Sequence, residues 1–228
     1  MDHQKSRIWE LDLLRGIALV FIVCFHIVFD LAEIYGLPIA YEHGIFSYIG
    51  RSGAILFIFL AGVSSNLTER NVRRALKLIF WAAVITLATY LFIPDMLIRF
   101  GILHFLGLSI LTAPLVLRLN PGIIFVLGTG IILLETVLGK IQPAHDWLFV
   151  FGITSDSFVS ADYYPMIPWY GIYLYGSLCG KILYREGHIE SRIKREDNVL
   201  TIFGRHTLLV YIIHQPIILL FLSMIFRN

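Results

Sequence analysis

Residues 11–33 read LDLLRGIALVFIVCFHIVFDLAE. The run is long enough for the roughly 20 apolar residues that a helix needs to cross a hydrocarbon core. It nevertheless carries Asp12, Arg15, His26, Asp30 and Glu33. Ionisable groups inside a span are costly, and where they occur they face a bundle interior or a cavity. At 100° per residue these five side chains fall within about 60° of one another, along about 30 Å of helix axis. The reading is a membrane helix with one polar stripe turned inward. It is no cleavable signal peptide, being too long, studded with charge and without a small-residue cleavage site.

The remainder of the 228 residues agrees. The chain is 57% hydrophobic and 15% charged, with a mean hydropathy of +0.77, where an ordinary soluble domain has about a quarter of its residues charged. Too few polar groups exist to cover a water-facing globule, so a soluble enzyme, a disordered chain and a disulfide-rich module are excluded. Seven apolar stretches are expected to span, at about 11–33, 47–67, 74–93, 100–118, 121–139, 165–184 and 205–226. They are continuously apolar and do not alternate, which favours helices over a barrel. Asn120-Pro121-Gly122 makes a tight turn between the fourth and fifth. The expected fold is an all-α polytopic membrane protein of about seven helices, one domain over 1–228. Cys24 and Cys179 lie in apolar segments and read as small buried hydrophobes.

Basic residues orient the helices. With the N-terminus cytoplasmic, Lys5, Arg7, Arg70, Arg73, Arg74, Lys77, Arg118, Lys181, Arg185, Arg192, Lys194, Arg195 and Arg205 fall inside. Only Arg51, Arg99, Lys140 and Arg227 fall outside. The positive-inside bias predicts an N-terminus in the cytoplasm and a C-terminus outside. Asn66-Leu67-Thr68 has the glycosylation pattern but falls on the cytoplasmic side, and is discounted.

The polar stripe suggests chemistry. Asp12 and Arg15, spaced i, i+3, form an ion pair or present Arg15 to head groups. His26 and Asp30, spaced i, i+4, place a carboxylate where it can orient an imidazole. His104, Asp162 and His214 bring further titratable groups from other segments, and Thr207, Tyr211 and His214 recur at i, i+4, i+7. Imidazoles titrate near neutral pH, and a neighbouring carboxylate fixes their tautomer, so such a cluster suits general acid–base catalysis. No HxxH or HExxH spacing is present, and no metal is expected. Asp162-Tyr163-Tyr164-Pro165-Met166-Ile167-Pro168-Trp169 reads either as an interfacial aromatic belt or as a substrate contact.

Several runs carry a resemblance. Trp9-Glu10-Leu11-Asp12-Leu13-Leu14-Arg15-Gly16-Ile17-Ala18 is followed by Phe25-His26-Ile27-Val28-Phe29-Asp30-Leu31. Then come Gly101-Ile102-Leu103-His104-Phe105-Leu106-Gly107, the Asp162–Trp169 run, Gly204-Arg205-His206-Thr207-Leu208 and Tyr211-Ile212-Ile213-His214-Gln215-Pro216. In this order they resemble small prokaryotic transmembrane acyltransferases similar to the catalytic region of heparan-α-glucosaminide N-acetyltransferase. The resemblance implies acetyl transfer from cytosolic acetyl-CoA to an acceptor at the opposite face. It places the catalytic histidine after the first core helix, where His43 is the counterpart across a small gap; His26 aligns with a polar asparagine. Both histidines stay candidates, and Asp30 favours His26.

The expected catalytic residues are therefore His26, Asp30, His43 and His104. Asp12, Arg15, Arg73 and Arg74 are expected to hold the acyl-CoA, and Arg51, Asp162, Tyr163, Trp169 and His214 the acceptor. The expected partners are the bilayer of the plasma membrane, an acyl-CoA and a sugar-like or other small acceptor, with room for a homo-oligomer and no nucleic acid. Sugar specificity is not carried over. The rival reading is a proton-coupled transporter that uses the intramembrane His/Asp chain.

Overall fold

A computed structural model describes residues 8–141, 143–184 and 196–226. Lys5, Arg7, Arg185, Arg192, Lys194, Arg195 and Arg227, which contribute to the charge asymmetry, lie outside the described residues. The helices in chain order are α1 (Trp9–Glu33), α2 (Gly44–Ser65), α3 (Asn71–Phe92), α4 (Ile102–Leu111), α5 (Ala113–Val116), α6 (Pro121–Leu138), α7 (Met166–Leu183), α8 (Val199–Arg205) and α9 (Thr207–Ile225). The described residues contain no strand, only a single isolated bridge between Phe100 and Tyr163.

Five helices, α1, α2, α3, α6 and α9, are long and apolar enough to cross a membrane. Their outer faces support that reading. Phe80, Leu87, Phe92, Val126, Leu133 and Leu220 are all more than half exposed, a display of large apolar side chains that acyl chains accommodate and water does not. The chain is an integral multi-pass membrane protein. Of the seven expected spans, the other two are built differently. The 100–118 stretch divides into α4 and α5 because Pro114, in the first turn of α5, has no amide hydrogen to continue the ladder. In the last turn of α4 the hydroxyl of Thr112 donates to the Ser109 carbonyl at 2.7 Å. α7 is 18 residues long, but its first turn is broken by the non-helical backbone of Ile167, and Tyr170, Tyr173, Tyr175, Ser177 and Lys181 interrupt its apolar run, so it is not among those five.

The chain divides into two compact units. The first holds residues 1–60 and 188–228. Here α1 packs against α8 and α9, burying Leu11, Ala18, Leu19 and Ile22 on one face. Two glycines set the closeness of α1 and α8. A Cβ on Gly204 would overlap the Asp12 carbonyl, and one on Gly16 would overlap the Leu200 carbonyl. α8 begins with a reciprocal cap: Asn198 Oδ1 accepts from the Thr201 amide, and Thr201 Oγ1 accepts from the Asn198 amide, both at 2.9 Å. The first part of α2 lies on α1 through Gly53, where a Cβ would come to 3.2 Å from the Ala18 carbonyl.

The second unit holds residues 61–187. α3 packs on α4, and α6 on α7. Asn120 and Pro121 start α6 as the sequence predicts, with Asn120 Oδ1 accepting from the Ile123 amide at 2.9 Å. Gly128 and Gly171 bring α6 and α7 together, and Thr129 and Tyr175 share a hydroxyl hydrogen bond of 2.8 Å. Asn66, in the discounted glycosylation pattern, donates its amide to the Ser177 carbonyl at 2.9 Å. Both cysteines are free, but Cys24 is exposed rather than buried as expected; a small apolar thiol on the face of a membrane helix needs no cover from water.

The α1–α8 contact gives a direct prediction. Gly204→Val forces the helix backbones apart, and overpacking of this kind costs about 1–3 kcal/mol or more. Thermal unfolding in detergent, followed by fluorescence-detected size exclusion, should show a midpoint lowered by roughly 2–12 °C. An unchanged midpoint for Gly204→Val would mean that the helices do not meet here.

Candidate functional site

The polar stripe of α1 divides into two clusters, both inside the first unit. At its N-terminal end Asp12 is 4% exposed. Arg15 Nη1 donates to its Oδ1 at 2.8 Å, and Arg205 Nε to its Oδ2 at 3.3 Å. Arg205 reaches on to Asp197, with Nη1 at 2.6 Å from Oδ2 and Nη2 bonded to Oδ1. Trp9 Nε1 donates to the Glu196 carbonyl at 3.2 Å. Two cations on one buried carboxylate offset its desolvation, while Gly16 and Gly204 bring the two backbones to the required distance. Asp12, Arg15 and Arg205 thus clamp α1 to α8.

Toward the other end of α1, Asp30 is fully buried. Both of its oxygens accept from Gln215 Nε2, at 2.7 and 2.8 Å. The expected His26–Asp30 pair does not form: the side-chain hydrogen bonds of Asp30 run to α9. His26 instead lies against His214, with ring centroids 5.0 Å apart, and meets the edge of Phe25. His214 Nδ1 bonds the Tyr211 carbonyl at 2.5 Å, and the Tyr211 ring packs 5.2 Å from the imidazole. His214 Nε2 and Gln215 Oε1 are buried without a hydrogen-bond partner among the described residues. Such orphaned atoms are uncommon and call for an explanation, an absent ligand or water among them.

Tyr41 donates to Glu33 Oε1 at 2.7 Å and stacks edge-on against Phe29. Burial and the Glu33 hydrogen bond push its phenol up to about 12. His43 is exposed in the connection between α1 and α2, outside the imidazole pair. Arg51 is exposed near the start of α2.

The second unit holds the remaining expected residues. His104 Nδ1 accepts from the Gly101 amide at 3.2 Å, so Nε2 carries its hydrogen. That hydrogen reaches Thr86 Oγ1 at 3.2 Å, while Thr86 donates to the Ile98 carbonyl at 2.7 Å. Nδ1 is thus committed to the start of α4 and Nε2 to Thr86 on α3. Asp162 Oδ2 accepts from the Ile102 amide at 2.9 Å and caps the same helix end. Tyr163 donates to the Phe149 carbonyl at 2.5 Å, and burial, followed by the Asp146 charge, pushes its phenol up to about 12. Burial, reinforced by Asp162, also raises Tyr164. Trp169 packs 4.9 Å from Tyr164. Arg73 is exposed on α3, whereas Arg74 Nη1 reaches Asn71 Oδ1 at 3.2 Å. Among the described residues no group of three His, Cys, Asp or Glu is arranged to hold a metal ion.

The sequence reading misses Gln215, although it stands beside His214 as an amide inside an apolar span. It also misses the dual role of Arg205, whose partner Asp12 lies far away in the chain.

A paired imidazole beside a buried carboxylate, on helices that carry Asp12-x-x-Arg15-Gly16 and Gly204-Arg205, is a specific conjunction. The family described as heparan-alpha-glucosaminide N-acetyltransferase, catalytic, matches residues 7–216. The chain belongs to this family. No curated protein and no solved structure matches the chain. Heparan-alpha-glucosaminide N-acetyltransferase family membership implies a membrane transferase of the acetyltransferase type. The matched region contains every residue of both α1 clusters and their partners on α8 and α9.

The Asp30–Gln215 contact is testable on its own. Gln215→Leu strands a fully buried carboxylate, which should cost about 1–3 kcal/mol or more. Asp30→Leu with Gln215→Leu removes both polar partners and should recover most of that loss. The double-mutant cycle is read by thermal unfolding of the detergent-solubilised chain; additive losses would mean that the two side chains do not interact.

Proposed function

We propose that this protein moves an acetyl or other short acyl group from cytosolic acyl-CoA to an amine or hydroxyl of a sugar-like acceptor at the extracytoplasmic side. The observation that carries this reading is the imidazole pair His26 and His214, set beside the buried Asp30–Gln215 contact in a chain of this family. Acyl transfer needs a group that takes a proton from the attacking acceptor and returns one to the leaving sulfur. An imidazole does this near neutral pH. The thioester carbonyl carbon forms a bond to nitrogen or oxygen, the carbon–sulfur bond breaks, and CoA departs as its thiol.

In this account α4–α5 and α7 also cross the plasma membrane, for seven spans in all, with the N-terminus inside and the C-terminus outside. The positive-inside asymmetry supports this. It also gathers exposed Arg73 and Lys77 on the face where the anionic donor is found, and such charge raises the local concentration of acyl-CoA. Arg15 and Asp12 act on the donor through the clamp they make with Arg205. Arg51, Asp162, Tyr163 and Trp169 belong to the opposite side, where the acceptor arrives. His104, with both nitrogens engaged, serves by holding the start of α4.

The test is release of CoA thiol from acetyl-CoA by the purified chain with glucosamine as acceptor. The His26→Ala/His214→Ala double variant should lose about 10²–10⁴-fold in kcat, the usual contribution of a general acid–base group, while eluting as the wild type does on size exclusion. Wild-type turnover in the double variant would overturn the reading.

A further inference from the structure

Resting on that reading, we propose that His214, and not His26, accepts the proton of the attacking acceptor, and that the bare nitrogen Nε2 is the accepting atom. A carbonyl oxygen can only accept a hydrogen bond, so the contact of Nδ1 with the Tyr211 carbonyl at 2.5 Å requires the hydrogen of His214 to sit on Nδ1. In the neutral ring Nε2 is then left with its lone pair. That nitrogen is buried, and it has no hydrogen-bond partner among the described residues. Nothing in its own helix needs it.

His26 differs on each count. Its contacts are ring contacts with Phe25 and His214, and among the described residues neither of its nitrogens is engaged in a hydrogen bond. No partner fixes its tautomer, and Asp30 is occupied by Gln215. A base that must be in the correct protonation state and orientation at the moment of attack is better supplied by the ring whose other nitrogen is already anchored. The Tyr211 carbonyl also stabilises the imidazolium that forms, the role a carboxylate plays in a catalytic triad. His26, with its ring centroid 5.0 Å away, is placed to hold the neighbouring reacting group or to pass the proton on.

Written out, the acceptor nitrogen or oxygen bonds to the thioester carbonyl carbon while its proton moves to His214 Nε2. The carbon–sulfur bond then breaks, and the proton passes from Nε2 to the sulfur of CoA. Neither oxidant nor reductant is needed.

Two measurements on the full chain in detergent micelles decide the assignment. The first is ¹⁵N spectroscopy of histidine-labelled wild type, with the His214 signals assigned by their loss in His214→Asn. The expected result is a protonated Nδ1 and an unprotonated Nε2; a hydrogen on Nε2 would overturn the proposal, and this readout holds whether or not the variant is active. The second is the kinetics of His214→Asn, whose side-chain amide can still donate to the Tyr211 carbonyl but offers no Nε2. With acetyl-CoA and glucosamine, kcat should fall about 10²–10³-fold while KM for acetyl-CoA and the unfolding midpoint stay near wild type. Wild-type kcat in His214→Asn alongside loss of turnover in His26→Asn would transfer the role to His26 and leave the acyltransferase reading intact. Undiminished turnover in the double alanine variant would remove both.

Discussion

A charged group cannot lie unpaired in a hydrocarbon core, and this constraint organises the first unit of the molecule. α1 carries its polar stripe from Asp12 to Glu33. Each buried carboxylate in it finds its partner on the C-terminal segment: Asp12 on Arg205 beside its own Arg15, and Asp30 on Gln215. The two contacts pin α1 to α8 and α9 at two points along its length. Glycines at 16 and 204 remove the side chains that would hold the backbones apart at the first of them. Hydrophobic burial drives helices into the membrane but does little to align them once there, because lipid is as apolar as leucine. Polar pairing and small residues set the register.

That register has a chemical consequence. With α9 held against α1 through Gln215, the preceding residue, His214, comes to lie against His26. Asp30 therefore acts in this account through helix placement and not as the direct partner of an imidazole. The i−3 carbonyl of Tyr211 takes over the orienting role. Pro216 follows Gln215 and lacks an amide hydrogen for the Ile212 carbonyl one turn earlier. The site thus combines a backbone anchor, a buried pair that fixes the helix, and one nitrogen left over for the reaction.

Much of this is legible in the residues. Apolar length locates the long helices to within a few positions, and helical periodicity places Asp12, Arg15, His26 and Asp30 on one face. Asn120-Pro121 marks the start of α6 correctly. The misreadings share a cause: sequence spacing displays neighbours within one helix, while a partner on a distant helix leaves no local trace. His26 and Asp30 at i, i+4 look like a pair, yet the amide of Gln215 claims the carboxylate. His104 looks like a free imidazole, yet Gly101 and Thr86 engage both nitrogens. Pro114 divides a stretch whose overall hydropathy suggests one continuous helix.

The whole functional account requires that the chain bind its acyl donor. Equilibrium dialysis of radiolabelled acetyl-CoA against the purified full-length protein in detergent tests this without any assumption about the acceptor. Saturable binding near one equivalent per chain, displaced by unlabelled CoA, is the predicted result. Absence of saturable binding to a monodisperse, folded preparation would contradict it.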